Sequence, residues 1–147
     1  MKFGWINWVN AVVVFYLIAV NLAAARKGIA DDLKSDYFFV NLMEQVGRYG
    51  CMIFMVFPVV KGWKFGFSSV AGMFVWLCAT VVLLVIYSIL WLKKRQGSRT
   101  VLYGLVLVPA FLFLINGCLL HHLLLMICSL IFGAFHLRIC AEYMQKM

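Results

Sequence analysis

Five runs of sixteen to twenty-four residues, at positions 5–25, 38–60, 69–92, 101–116 and 119–139, carry almost no charge and are separated by basic or polar breaks. A run of roughly 17–25 apolar residues matches the hydrocarbon thickness of a bilayer, where the backbone must satisfy its own hydrogen bonds. Such runs become membrane helices. A transmembrane barrel would need strands that alternate apolar and polar positions, whereas these runs are apolar at successive residues, as in Val12-Val13-Val14 and Leu123-Leu124-Leu125. The expected fold is therefore all-α and integral to the membrane, a multi-pass bundle of about five transmembrane helices. It forms a single transmembrane domain over residues 1–147, because no linker or internal repeat divides the chain. The fourth run is the shortest and Pro109 interrupts it, so four spans plus a re-entrant hairpin is the alternative.

Composition agrees, with 66% hydrophobic and only 12% charged residues, against roughly 25% charged in soluble domains. The formal charge of +8 would direct a soluble protein toward nucleic acid, but here the placement of the charges matters more than their sum. With five spans, one side collects Arg26, Lys27, Lys34, Lys93, Lys94, Arg95, Arg99, Arg138 and Lys146, and the other only Lys2, Lys61 and Lys64. Cytoplasmic loops are the basic ones, so the expected orientation is N-out and C-in. No nucleic-acid partner is expected; the basic loops face anionic lipid headgroups. Lys2 followed by an apolar run ending in Ala23-Ala24-Ala25 resembles a cleavable signal peptide, but cleavage would reverse this charge bias, so the run reads as a retained span.

Against this apolar background, Glu44 and Arg48 stand inside the second run. An isolated charge at the centre of an inserted helix costs roughly 2.5–3.5 kcal/mol, so intramembrane charges are candidates for function. Asn41, Gln45, Arg48, Met52 and Met55 fall within about 40° of one line on a helix, with Glu44 on the flank. Glu44 precedes Arg48 by four residues, the favourable order for an ion pair. Two readings follow: a self-neutralised pair that holds helix register, or a carboxylate and an anion-binding guanidinium at a cavity wall.

The last run has its own stripe, with His122, Ser129, Gly133, His136 and Cys140 within about 40° of one line. Ser129 and Gly133 read as a small-residue packing contact. His136 falls near the depth of Glu44 and could relay a proton. The same depth argument adds Asn21, Tyr87 with its neighbour Ser88, and Tyr103. The expected binding cluster is thus Asn21, Glu44, Gln45, Arg48, Tyr87, Tyr103 and His136. Depth follows from the topology; lateral proximity does not.

A second polar set, Asn7, Asn10, Asn116, His121, His122, Lys61 and Lys64, lies at the opposite rim. Adjacent histidines sit 100° apart on a helix, so His121-His122 reads as an interfacial turn rather than a metal pair. His122 and His136 are about 21 Å apart along a helix, which keeps them from sharing one haem iron. The five cysteines form no CxxC pair and read as small buried residues. Asp31, Asp32 and Asp36 are balanced by Arg26, Lys27 and Lys34, and read as a solvated connector. No metal and no cofactor is implied, and the glycine-rich phosphate loop, HExxH and GxSxG motifs are absent.

The segments Glu44-Gln45-Val46-Gly47-Arg48-Tyr49-Gly50-Cys51, Trp63-Lys64-Phe65-Gly66-Phe67 and Ile131-Phe132-Gly133-Ala134-Phe135-His136 resemble a group of small uncharacterised bacterial polytopic membrane proteins. That resemblance implies no activity and no functional residue. The expected location is a bacterial inner membrane. The leading functional reading is a non-enzymatic protein that binds or moves a small solute, ion or proton through the cluster, with a second copy or a partner subunit supplying any missing wall. The alternatives are an accessory subunit of a membrane complex and an enzyme acting on a lipid or polyprenyl substrate, with His136 or Glu44 as base and Arg48 on a phosphate.

Overall fold

The computed structural model describes residues 6–28, 33–57, 69–94 and 98–146. They form five helices: α1 (Trp8–Arg26), α2 (Phe38–Val56), α3 (Val70–Lys93), α4 (Arg99–Leu119) and α5 (Leu123–Lys146). Local chemistry sets their ends. Asn7 caps α1 by accepting the Asn10 N–H at 3.1 Å, and Ser69 caps α3 by accepting that of Gly72 at 3.1 Å. α2 stops at Val56 rather than reaching residue 60, because Phe57 precedes Pro58 and takes extended angles (φ −110°, ψ 117°).

The fourth and fifth helices differ from their sequence expectations in an instructive way. α4 is a full helix of 21 residues with Pro109 inside it, so the hairpin alternative does not apply. Its end is a Schellman turn: His121 takes a left-handed φ of 55°, His121 N–H donates to Cys118 O, and His122 N–H donates to Gly117 O at 2.8 Å. α5 therefore starts at Leu123, four residues later than the apolar count implies. His122 is the cap of α5 rather than a member of its stripe: its Nδ1 accepts the Leu125 N–H at 3.2 Å.

α1, α3, α4 and α5 are long and apolar enough to cross a membrane. α2 matches α1 in length, at 19 residues, but its polar residues lower its hydropathy. The burial pattern is that of a membrane protein. Of the 24 residues of α3 only Trp76, Thr80 and Tyr87 are buried, while Phe74, Val82 and Leu92 lie open. Asn7, Asn10, Glu44, Thr80, Asn116 and Ser129 are inside. Contiguous exposed apolar surface of this kind would aggregate in water and is matched by lipid.

α5 is the centre of the bundle, packed extensively on α2 and α4. Glycines make these approaches possible. A Cβ on Gly47 would stand 2.7 Å from the backbone nitrogen of Phe132, and one on Gly50 2.8 Å from Cys128 Sγ. On the other side of α5, a Cβ on Gly133 would lie 3.3 Å from that of Ala110, so its small residue does serve packing. This α2–α5 seam brings Glu44 to His136.

Candidate functional site

One end of the bundle carries Arg26, Lys27, Lys34, Lys93, Lys94, Arg99, Arg138 and Lys146 and is called here the basic end. A cavity of about 760 Å³ occupies its interior between α1, α2, α3, α4 and α5. Its volume lies within the roughly 300–1,000 Å³ of small-molecule sites. Of the seven residues expected to cluster, six line it: Asn21, Glu44, Gln45, Arg48, Tyr87 and His136. Tyr103 does not join them. It is 37% exposed on α4, about 100° around the helix from the buried Leu102, and so faces away from the cavity.

Glu44 is the most enclosed charge, with only 3% of its side chain accessible. Its Oε1 accepts from Arg48 Nε at 3.0 Å and from Arg48 Nη2 at 2.5 Å. Nδ1 of His136 stands 3.0 Å from the same oxygen, in ion-pair range without meeting hydrogen-bond geometry. The His136 ring stacks on Phe132 at 4.8 Å, and the guanidinium carbon of Arg48 is 5.9 Å from the Phe132 centroid. Phe132 is thus the hydrophobic wedge against which the Arg48 and His136 side chains are oriented. Arg48 remains 36% accessible, and among the described residues its Nη1 and Glu44 Oε2 have no recorded protein partner. The pair is neutral as a unit and open on one side.

α1 and α3 form the opposite wall. Tyr87 donates its hydroxyl to Asn21 Oδ1 at 2.7 Å, and Tyr16 and Ser88 share a hydrogen bond of 2.6 Å. Trp91 also lines the cavity, with its buried Nε1 unpaired among the described residues.

Sequence reasoning missed the mouth. Leu33, Lys34 and Lys94 line the cavity, whereas Lys34 read as part of a solvated connector and Lys94 as an orientation signal. Lys94 Nζ sits 5.3 Å from the Trp91 ring. Asn41, singled out only as part of the polar face of α2, pins the connector: its Oδ1 accepts Ser35 N–H at 2.9 Å while its Nδ2 donates to Ser35 O at 2.7 Å. Ser35 Oγ also donates to Glu142, and Lys146 Nζ pairs with Asp36 at 2.7 Å, so the segment 33–37 is clasped to the end of α5. Asp31 and Asp32 lie outside the described residues.

The lining beyond the charges is apolar. Leu17, Leu105, Val106, Pro109 and Phe113 form it. Pro109 has no N–H, so the carbonyl of Leu105, four residues earlier and also on the wall, loses its usual helical donor. Three cationic side chains against one carboxylate, with indole and carboxamide donors nearby, suit a ligand that is anionic at one end.

Polar residues at the far end make a different object. Trp76 Nε1 donates to Asn116 Oδ1 at 2.6 Å, Asn116 Nδ2 donates to Leu112 O at 2.8 Å, and Asn10 Nδ2 donates to Met55 O at 3.0 Å. Asn7, Asn10 and Asn116 are wholly enclosed. Lys61 and Lys64, expected beside them, lie outside the described residues. Comparison of the chain with protein-family models, with curated proteins and with solved structures finds no match.

Proposed function

We propose that this multi-pass membrane protein binds a small anionic solute in the basic-end cavity, with Arg48 as the anion-contacting residue. The observation that carries the reading is the position of the Glu44–Arg48–His136 cluster at a cavity wall instead of within a dry helix seam. Glu44 anchors two guanidinium nitrogens of Arg48 and leaves Nη1 for a ligand; His136 stands against the same carboxylate oxygen and limits its freedom. A preoriented arginine loses little freedom on binding, which is the condition under which one charged contact yields affinity.

The far end supports binding over an open pore. Beyond Met52 and Phe113, the deepest part of the lining, Met55 and Asn10 are fully enclosed. If α2 spans with the other four helices, the basic end faces the cytoplasm by the positive-inside bias, and the solute enters from that side of a bacterial inner membrane.

The test is ligand-induced stabilisation of the purified protein. Phosphate, sulfate and acetate are titrated while Tm is followed, since a ligand bound only by the folded state raises stability with its concentration. A saturable rise with at least one anion, abolished in Arg48→Ala and retained in Arg138→Ala, is the expected result. A rise that survives Arg48→Ala unchanged, or no saturable rise with any of the three, overturns the proposal.

A further inference from the structure

The cavity has a second feature, a gap in its side wall. Ile18 and Leu22 on α1, and Gln45 and Tyr49 on α2, all line the cavity, and all four are exposed, Tyr49 by 60%. A residue that faces both an interior cavity and the outer surface marks an opening between them. The hydrogen bonding of α1 explains why the gap lies there. Toward the far end α1 is tied to α2, by Asn7 N–H to Val56 O at 2.9 Å and by Asn10 Nδ2 to Met55 O. Toward the basic end its bonds go instead to α3, through Asn21–Tyr87 and Tyr16–Ser88. Among the described residues no hydrogen bond joins the basic-end halves of α1 and α2, which leaves that stretch of their seam without a polar tie.

The wall exposed through this gap changes character with depth. Lys34 and Lys94 stand at the basic mouth, Arg48 lies deeper on α2, and past it the lining is Leu17, Leu105, Val106 and Phe113. Charged atoms at the mouth and hydrocarbon further in repeat the polarity gradient of one bilayer leaflet.

We infer that the ligand is an amphipathic anion, a phosphate- or carboxylate-headed molecule with a hydrocarbon chain, which enters sideways from the membrane through the gap between α1 and α2. The head is held by Arg48 with Lys34 and Lys94 at the mouth; the chain lies along Leu17, Leu105 and Phe113. This inference rests on the anion-binding reading of Arg48 and specifies the kind of anion.

The two can fail separately in one experiment. The protein is placed in phosphatidylcholine nanodiscs, and its stabilisation is titrated with ethyl phosphate and dodecyl phosphate, which share a head and differ in the chain. Dodecyl phosphate is expected to bind more than ~10-fold tighter, since each buried methylene adds apolar transfer energy. Leu105→Trp, which fills the apolar end, should cut that preference to below ~3-fold while leaving ethyl phosphate binding in place. Should Leu105→Trp not fold, Ile18→Trp at the exposed rim of the gap serves the same purpose. Arg48→Ala should weaken both ligands. Equal affinities for the two phosphates, both lost in Arg48→Ala, would leave the anion site standing and overturn the amphipathic ligand. A chain preference unaffected by both Leu105→Trp and Ile18→Trp would also overturn it, as simple partition into the bilayer. Dodecyl phosphate binding that ignores Arg48→Ala would overturn the anion site itself. Mass spectrometry of extracts separates the sources of such a ligand: an anionic lipid retained by the wild type and absent from Arg48→Ala identifies a membrane lipid, and a single-chain amphiphile identifies a free one.

Discussion

The two ends of this bundle use polar residues to opposite effect. At the far end Trp76 bonds to Asn116, and Asn116 and Asn10 donate to backbone carbonyls, while Asn10 Oδ1 and Asn7 Nδ2 are buried without a hydrogen-bond partner among the described residues. At the basic end Glu44, Arg48 and His136 form an equally close group, but Arg48 remains one-third accessible and the group stands beside about 760 Å³ of open volume. Polar residues in a membrane helix therefore report two things, packing glue or a site, and what separates them is accessibility: Asn7, Asn10 and Asn116 are wholly enclosed, whereas Arg48 reaches open volume. Substitutions at the far end should change stability alone. Those at the basic end should change stability and binding, and the two effects should be separable.

The largest effect is expected from Arg48→Met. Removing one partner of a buried ion pair costs about 3–5 kcal/mol, and the accessibility of Arg48 places this case at the lower end, ~3 kcal/mol. Glu44 is then left enclosed with only His136 against it. Adding Glu44→Gln removes the stranded charge and should restore most of the stability, measured by unfolding in mixed micelles. Anion binding should stay lost in the double variant. Recovery of binding together with stability would reduce the pair to a packing device and erase the contrast between the ends.

Asn116→Ala is the matching experiment at the far end. It removes the Asn116 acceptor of the buried Trp76 Nε1, and losing one partner of a buried hydrogen bond costs about 1–3 kcal/mol. A loss of ~2 kcal/mol with anion affinity unchanged is expected. A shift in affinity beyond about threefold would show that the two ends are coupled.

Why one end could be read from residues and the other could not is a matter of what periodicity carries. Apolar run length gave five helices because the bilayer imposes it, and the shared depth of Asn21, Glu44, Tyr87 and His136 followed from counting along each span. Rotation was harder. In a soluble helix the buried face is the apolar one, but on α4 Leu102, Leu105 and Val106 are buried while the equally apolar Phe111 is exposed, so Tyr103 carried no sign of its face. Lys34 and Lys94 were missed for another reason: their place at the mouth depends on the path of the connector, which Asn41 and the end of α5 hold through long-range contacts. Trp76, a tryptophan inside α3 rather than at its end, is accounted for by its bond to Asn116.

The far-end turn provides a smaller test, with a pH dependence. His122 caps α5 through Nδ1, which must be unprotonated to accept, and burial holds its pKa below the usual histidine value. Because the unfolded chain takes up the proton more readily, this contribution is complete above about pH 6.5 and is lost as pH falls toward and through the folded value. His122→Ala should cost ~1 kcal/mol at pH 8 and less at pH 5; His122→Asn, which keeps an acceptor, should cost less and flatten the pH dependence. Equal losses for Ala and Asn at both pH values would mean that His122 acts by packing.

His121 offers the smallest effect and a gain rather than a loss. It occupies the left-handed C′ position that ends α4, at φ 55°, where a β-carbon is disfavoured and glycine is the usual residue. The side chain is exposed and has no role in the hydrogen bonds of the turn, which are made by backbone atoms. His121→Gly should therefore stabilise by about 0.5–1 kcal/mol, the strain relieved being partly offset by the greater freedom of glycine in the unfolded chain. Anion affinity at the basic end should not move, because the turn shares no residue with the cavity. A destabilised His121→Gly would mean that the imidazole itself contributes to the turn, and the far end would then hold more than packed amides.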